Sequence, residues 1–185
     1  MYKFFLNASE AAVVIIDMQE KLARAMDKDV LEDVVKNILT LIELGKLFNI
    51  PFIVAEQYPK GLGNTLEEIS KAVKEFNPIE KISFSCVAEP SFMNALEQTH
   101  RRKIVLTGME THVCVWQTAL DLLSRGYYVY VPKDAVCSRR KEDWKTALDL
   151  IKDAGGVVTV TEALVFQILK KAGTQEFKKM LEWVK

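Results

Sequence analysis

The sequence has 185 residues, of which 49% are hydrophobic and 27% charged, a size and balance that fit one folded unit of roughly 100–200 residues and argue against a disordered chain. Its 25 Lys and Arg equal its 25 Asp and Glu, so nothing implies the basic surface of a nucleic-acid binder. Three cysteines, Cys86, Cys114 and Cys137, lack CxxC spacing, which argues against a disulfide framework or a structural zinc site and suggests a reducing, cytoplasmic setting.

Lys3 followed by Phe4, Phe5 and Leu6 resembles the start of a leader, but Asn7, Ser9 and Glu10 interrupt it. No run approaches the ~20 apolar residues of a membrane span, so no membrane partner is expected. AAVVII (11–16) is a continuous apolar run, as in a strand buried on both faces. Residues 30–48 carry a helical stripe of Leu31, Val34, Val35, Ile38, Leu41, Ile42 and Phe48, stopped by Asn49 and Pro51. PFIVA (51–55) is the next strand and YPKGLGN (58–64) a loop. A helix over 66–76, a short strand at 79–82 and a helix over 90–99 follow. KIVLTG (103–108) is a strand, then a helix runs from Thr111 to Arg125 with Gly126 at its end. YYVYVP (127–132), a helix over 139–154, GVVTVT (156–161) and closing helices complete the chain.

Six strands alternating with helices predict a mostly parallel sheet covered on both faces. Ligands of such sheets bind beyond the carboxyl ends of the strands, where the strand order reverses. Asp17, Lys81 and GMETHVC (108–114) occupy such ends. Cys114 in the first turn of a helix capped by Thr111 would have its thiolate favoured by the free N–H groups and the dipole. A buried, inert core cysteine is the competing reading. Asp17 is either an active-site base or the cap of a helix starting near Met18. Lys81 is either a charge that favours the Cys114 thiolate or an ordinary surface lysine. His112 stands two positions before Cys114, a spacing that does not face it on a helix, so a local hydrogen-bonding or pocket role is expected. Gln57, Tyr58 and Phe84 fall on strand-end loops and, with Gln19 and His112, are candidate pocket residues. Cys86 and Cys137 read as structural. With only His100 and His112 a metal site is not expected, and GLGN (61–64) lacks the phosphate-loop and dinucleotide patterns, so no cofactor is expected.

IIDMQ (15–19), the lysine of EKISFS (80–85) and GMETHVCVWQTALDLLSRGYYVYVPKDAVCS (108–138) resemble the isochorismatase-like cysteine hydrolases. AEQYPKGLG (55–63) further resembles the isochorismatase domain-containing branch. The resemblance implies one domain over 1–185 with a three-layer α/β/α, Rossmann-like fold and a six-stranded parallel sheet. It implies Asp17, Lys81 and Cys114 as the catalytic group. It also implies a cis peptide at Met109–Glu110 and an oxyanion hole made by the backbone N–H groups of Glu110 and Cys114. A homo-oligomer acting on a small molecule is expected. EQYPKG stands where nicotinamidases of the family carry an Asp-x-His metal motif, which disfavours metal-dependent nicotinamidase chemistry. Retention of Cys114 favours thioester chemistry on an amide or carbamoyl carbon. A vinyl-ether hydrolase and a catalytically idle binding or assembly protein are the alternatives.

Overall fold

The run AAVVII forms β1 (Ala11–Ile16), and all six side chains are buried in the computed structural model, which describes residues 1–184. Successive strand side chains point to opposite faces, so Ala11, Val13 and Ile15 enter one core while Ala12, Val14 and Ile16 enter another. Burial of each Val or Ile stabilises the fold by about 1.5–3 kcal/mol, which makes β1 the axis of two cores.

The sheet adds β2 (Phe52–Gln57), β3 (Ile79–Lys81), β4 (Lys103–Met109), β5 (Tyr128–Pro132), β6 (Val136–Cys137) and β7 (Val157–Thr159). All pairings are parallel, in the order β3-β2-β1-β4-β5-β7, with β6 beside the end of β4. Six of the seven strands answer to the runs read from the sequence. The seventh, β6, is a two-residue strand pairing Val136 with Gly108 and Cys137 with Met109, too short to leave a periodic signal.

Helices cover both faces. Lys28–Phe48 (α2), Glu67–Ala72 (α4), Thr161–Leu169 (α8) and Gln175–Val184 (α9) bring Val34, Ile38, Leu41, Ile69, Leu164 and Met180 to the first core. Pro90–Gln98 (α5), Trp116–Ser124 (α6) and Lys141–Asp153 (α7) bring Phe92, Leu96, Ala119, Leu122, Leu148 and Ile151 to the second. Asp27 caps α2 by accepting from the Asp29 and Val30 N–H groups. At its other end Asn49 adopts φ 53°, the left-handed conformation that stops a helix.

Several local expectations need correction. YPKGLGN is not all loop: Pro59–Leu62 forms a one-turn helix, α3, with proline in its first turn and Gly63 closing it at φ 81°. The helix expected over 66–76 ends at Ala72, where Val73 turns extended. A four-residue helix α1 (Glu20–Ala23) follows β1, with Gln19 rather than Asp17 in the cap position.

Gly108 fixes the centre of the sheet. Its φ is 107°, and a Cβ built there would lie 1.9 Å from the Ile16 carbonyl oxygen, a backbone atom that cannot swing away. Gly108→Ala combines left-handed strain with a forced separation of β1 from β4. The expected loss is about 3 kcal/mol or more, read as a lower urea midpoint. A wild-type midpoint would contradict this packing.

Candidate active site

β1 has β2 on one side and β4 on the other, so the chain order reverses between β1 and β4. That switch point is where the carboxyl ends of parallel strands leave a crevice. Asp17 follows β1 and Cys114 lies five residues beyond β4, while Lys81 closes β3.

Asp17 is not a helix cap. It sits at φ 53° in a tight turn, its N–H donating to the Ala55 carbonyl at 3.0 Å and its carbonyl accepting from the Gln19 N–H at 2.7 Å. This turn carries the carboxylate inward, where it is 0% exposed. Lys81 is not a surface lysine either; it is 2% exposed, and Nζ lies 2.8 Å from Asp17 Oδ2. Nζ also approaches Gln57 Oε1 at 2.7 Å and the carbonyls of Phe84 at 3.2 Å and Ser83 at 3.3 Å. A buried ammonium needs such a cage. Lys103 is likewise buried, but it lies at the amino end of β4, holding the Phe5 carbonyl at 2.6 Å and Glu10 at 3.0 Å. Burial alone therefore marks no site; position at the carboxyl ends does.

Cys114 belongs to a wide turn, Thr111–Val115, with the five-residue hydrogen-bond spacing of a π-helix, running into α6. Such turns inside helices often accompany functional sites. Thr111 does not cap it: Glu110 holds the cap position without a side-chain bond, and Thr111 Oγ1 is buried without a partner among the described residues. The Met109–Glu110 peptide is cis. The Glu110 carbonyl accepts from the Val113 and Val115 N–H groups.

The thiol of Cys114 interacts with Asp17 and lies 4.0 Å from Gln57 Oε1. The expected low-pKa thiolate is not what the environment favours. Burial first, then the Asp17 charge, push the thiol above its ordinary value, with Lys81 opposing both. Burial also raises the Asp17 carboxyl, against the pull of Lys81 and of the thiol. Desolvation is the largest single influence on Lys81 and would lower it, but the Asp17 charge, the Cys114 and Cys86 thiols and the hydrogen bond to Asp17 together outweigh it and the pKa is raised. The stable arrangement is an ammonium–carboxylate pair beside a neutral thiol. Asp17 Oδ1, buried and without a hydrogen-bond partner among the described residues, offers a free lone pair to accept a proton.

Gln57 thus joins the centre directly, and Phe84 does so through its carbonyl. Tyr58, at φ 37° and 51% exposed, places its ring over Gly61 at the rim with Phe84 and Ile82. Lys81, Tyr58, Lys60, Ile82 and Glu89 line a cavity of about 320 Å³. Gln19, expected to line the pocket, is bonded to the loop behind Gln57. It is 0% exposed, and its carboxamide accepts from the Gln57 N–H at 2.7 Å while donating to the carbonyls of Gln57 at 3.1 Å and Gly63 at 2.7 Å. It clamps the loop that carries Gln57. His112 makes no pair with Cys114; Nδ1 is 2.9 Å from Ser138 Oγ and Nε2 is 4.0 Å from Asp143. Burial pushes Cys86 and Cys137 up to about 12, consistent with inert core thiols. Among the described residues no group of three or more His, Cys, Asp or Glu side chains is arranged to hold a metal, and no helix is long and apolar enough to cross a membrane.

Sequence reasoning missed Arg139. Its Nε donates to Glu110 Oε2 at 2.9 Å and its N–H to the same oxygen at 3.1 Å. Arg139 follows β6, so recognition of that strand would have placed it among the strand-end residues.

The chain resembles known proteins along most of its length. The family model for the isochorismatase domain matches residues 11–163. Isochorismatase family protein 1A of Dictyostelium discoideum is 37% identical over 182 residues, covering 95% of this chain and 86% of that protein. Isochorismatase domain-containing protein 2 of Bos taurus is 34% identical over 172 residues, covering 92% and 81%. The solved structure of a MAR1 ribonuclease of Caenorhabditis elegans superposes with a TM-score of 0.89 at 33% identity, covering 97% of this chain and 92% of that one. With this likeness added to the parallel sheet and its switch point, the chain belongs to the isochorismatase-like hydrolase family, alongside the isochorismatase domain-containing proteins.

Proposed function

We propose that the chain is a cysteine hydrolase that cleaves an amide or carbamoyl C–N bond of a small molecule through a thioester on Cys114. The observation that carries this reading is the buried Oδ1 of Asp17, without a hydrogen-bond partner among the described residues, in a carboxylate held by Lys81 and interacting with the Cys114 thiol. A neutral thiol beside a desolvated carboxylate passes its proton when an electrophile arrives, without the charge separation a resting thiolate would need.

In the proposed cycle Asp17 takes the Sγ proton as the S–C bond forms, and the carbonyl electron pair moves to oxygen. That oxyanion is received by the backbone N–H groups of Glu110 and Cys114. The intermediate collapses, the C–N bond breaks, and the amine leaves with the proton held by Asp17. Water then attacks the thioester, Asp17 accepts a water proton, and the acid departs as the thiol is restored. Lys81 stays protonated throughout. Its role is to keep Asp17 ionised and Gln57 oriented.

A panel of small amides and carbamoylated amines, read by ammonia or amine release, tests this function. Amine release by wild type and none by Cys114→Ala supports it. Pyruvate release from isochorismate that survives loss of the thiol would point to vinyl-ether hydrolysis instead. The equal numbers of acidic and basic residues support no nucleic-acid substrate, and intact RNA after incubation is the expected control. The exposed Tyr58, Ile82 and Phe84 beside the site support a homo-oligomer that covers them. Three unpaired cysteines support a cytoplasmic setting.

The pH profile follows from the direction of the Asp17 shift. Asp17 must be ionised to accept the thiol proton, and burial raises its pKa. The acid limb of kcat/KM is therefore expected above the ordinary carboxylate range. Iodoacetamide labelling of Cys114, mapped by peptide, is expected to share that limb. Labelling that rises only with an isolated thiol ionisation near pH 8.5 would contradict the transfer.

A further inference from the structure

We propose that Arg139 is a positioning residue for the oxyanion hole: it holds and neutralises the Glu110 carboxylate so that the Glu110 N–H can receive an acyl oxyanion. This rests on the acyl-transfer reading above. Glu110 is 7% exposed, yet it carries a carboxylate on the same residue whose N–H the acyl-transfer reading assigns to the oxyanion hole. Unneutralised, that charge would repel negative charge developing at its own amide, in a site where low dielectric strengthens the repulsion.

Arg139 answers this in two ways. Its guanidinium Nε supplies the counter-charge at 2.9 Å, and its backbone N–H adds a second bond to the same oxygen at 3.1 Å. The two bonds tie Arg139, two residues past β6, to Glu110, the residue after β4, and β6 is paired to β4 at Gly108 and Met109. The Glu110 side chain is thereby anchored from outside the wide turn that carries Cys114. The guanidinium itself faces a cavity of about 490 Å³ also lined by Lys133, Lys141 and Trp144, and the Arg139 side chain is 59% exposed. Substitution of Arg139 therefore opens no hole in either core.

The role separates from a merely structural one by comparing two reactions of Cys114. Acylation by p-nitrophenyl acetate places negative charge on the carbonyl oxygen as the S–C bond forms and p-nitrophenolate leaves. Alkylation by iodoacetamide displaces iodide and builds no oxyanion. Both rates are measured on the full chain, with Cys114→Ala as the blank. Arg139→Ala is expected to slow acylation roughly ten- to one-hundred-fold, below the ~10²–10³ cost of deleting a hole donor outright, and to leave alkylation within about twofold. Adding Glu110→Gln to Arg139→Ala removes the unpaired charge and is expected to recover part of the acylation rate. The proposal is overturned by wild-type acylation in Arg139→Ala, by a parallel fall of both reactions, or by no recovery in the double variant. A wild-type protein that alkylates at Cys114 but never acylates would instead sink the acyl-transfer reading itself.

Discussion

Cys114→Ala is expected to lower amide turnover by at least about a thousandfold, since no other thiol can take over the attack. Cys86 and Cys137 are buried in the core, and burial pushes their thiols up to about 12. The fold should barely notice the change. Cys114 lies in a turn at the crevice, and loss of one sulfur there is expected to cost no more than about 1 kcal/mol. Unaltered turnover with an unaltered urea midpoint would remove Cys114 from the chemistry.

Lys81→Met carries the second large effect, and it falls on stability as well as rate. The ammonium is the counter-charge of Asp17 and is shared with Gln57 Oε1 and two carbonyls. Met is similar in length but leaves a buried carboxylate with no partner, a change of order 3–5 kcal/mol. The pH dependence has a definite sign. Without Lys81 the Asp17 carboxyl is raised further, so its ionisation opposes folding at neutral and alkaline pH, and the penalty fades as acid protonates it in both states. Urea unfolding at pH 8 and pH 5 should show a larger gap from wild type at pH 8. Asp17→Asn combined with Lys81→Met removes both charges and should recover much of the loss. A single variant as stable as wild type at pH 8 would mean that the pair is not buried as described.

The fold was legible because its strands are long apolar runs between amphipathic helices. AAVVII and KIVLTG mark two strands, and a mostly parallel sheet follows from alternation with helices, while the strand order that puts the switch point between them came only with the structure. Strand ends then nominated Asp17, Lys81 and the segment holding Cys114. What stayed hidden depends on contacts between distant segments. The clamp made by Gln19 is one such case, since a carboxamide that reaches the Gln57 and Gly63 backbone is set by the Pro59–Leu62 turn folding back. Thr111 has the chemistry of a cap, yet a wide turn led by Glu110 removes its opportunity. β6 is two residues long, below any periodicity, and the Arg139–Glu110 bond went unseen with it. The direction of the Cys114 shift was misread for a related reason. Helix position argued for a thiolate, but burial and a neighbouring carboxylate, both tertiary effects, outweigh a local dipole.

Intact-protein mass spectrometry after brief exposure to p-nitrophenyl acetate, followed by peptide mapping, tests the central claim most directly. The account predicts a single acetyl adduct on Cys114 in wild type, formed much more slowly in Asp17→Asn and absent in Cys114→Ala. An adduct that never forms on Cys114, while iodoacetamide labels that same thiol readily, would contradict acyl transfer through this residue.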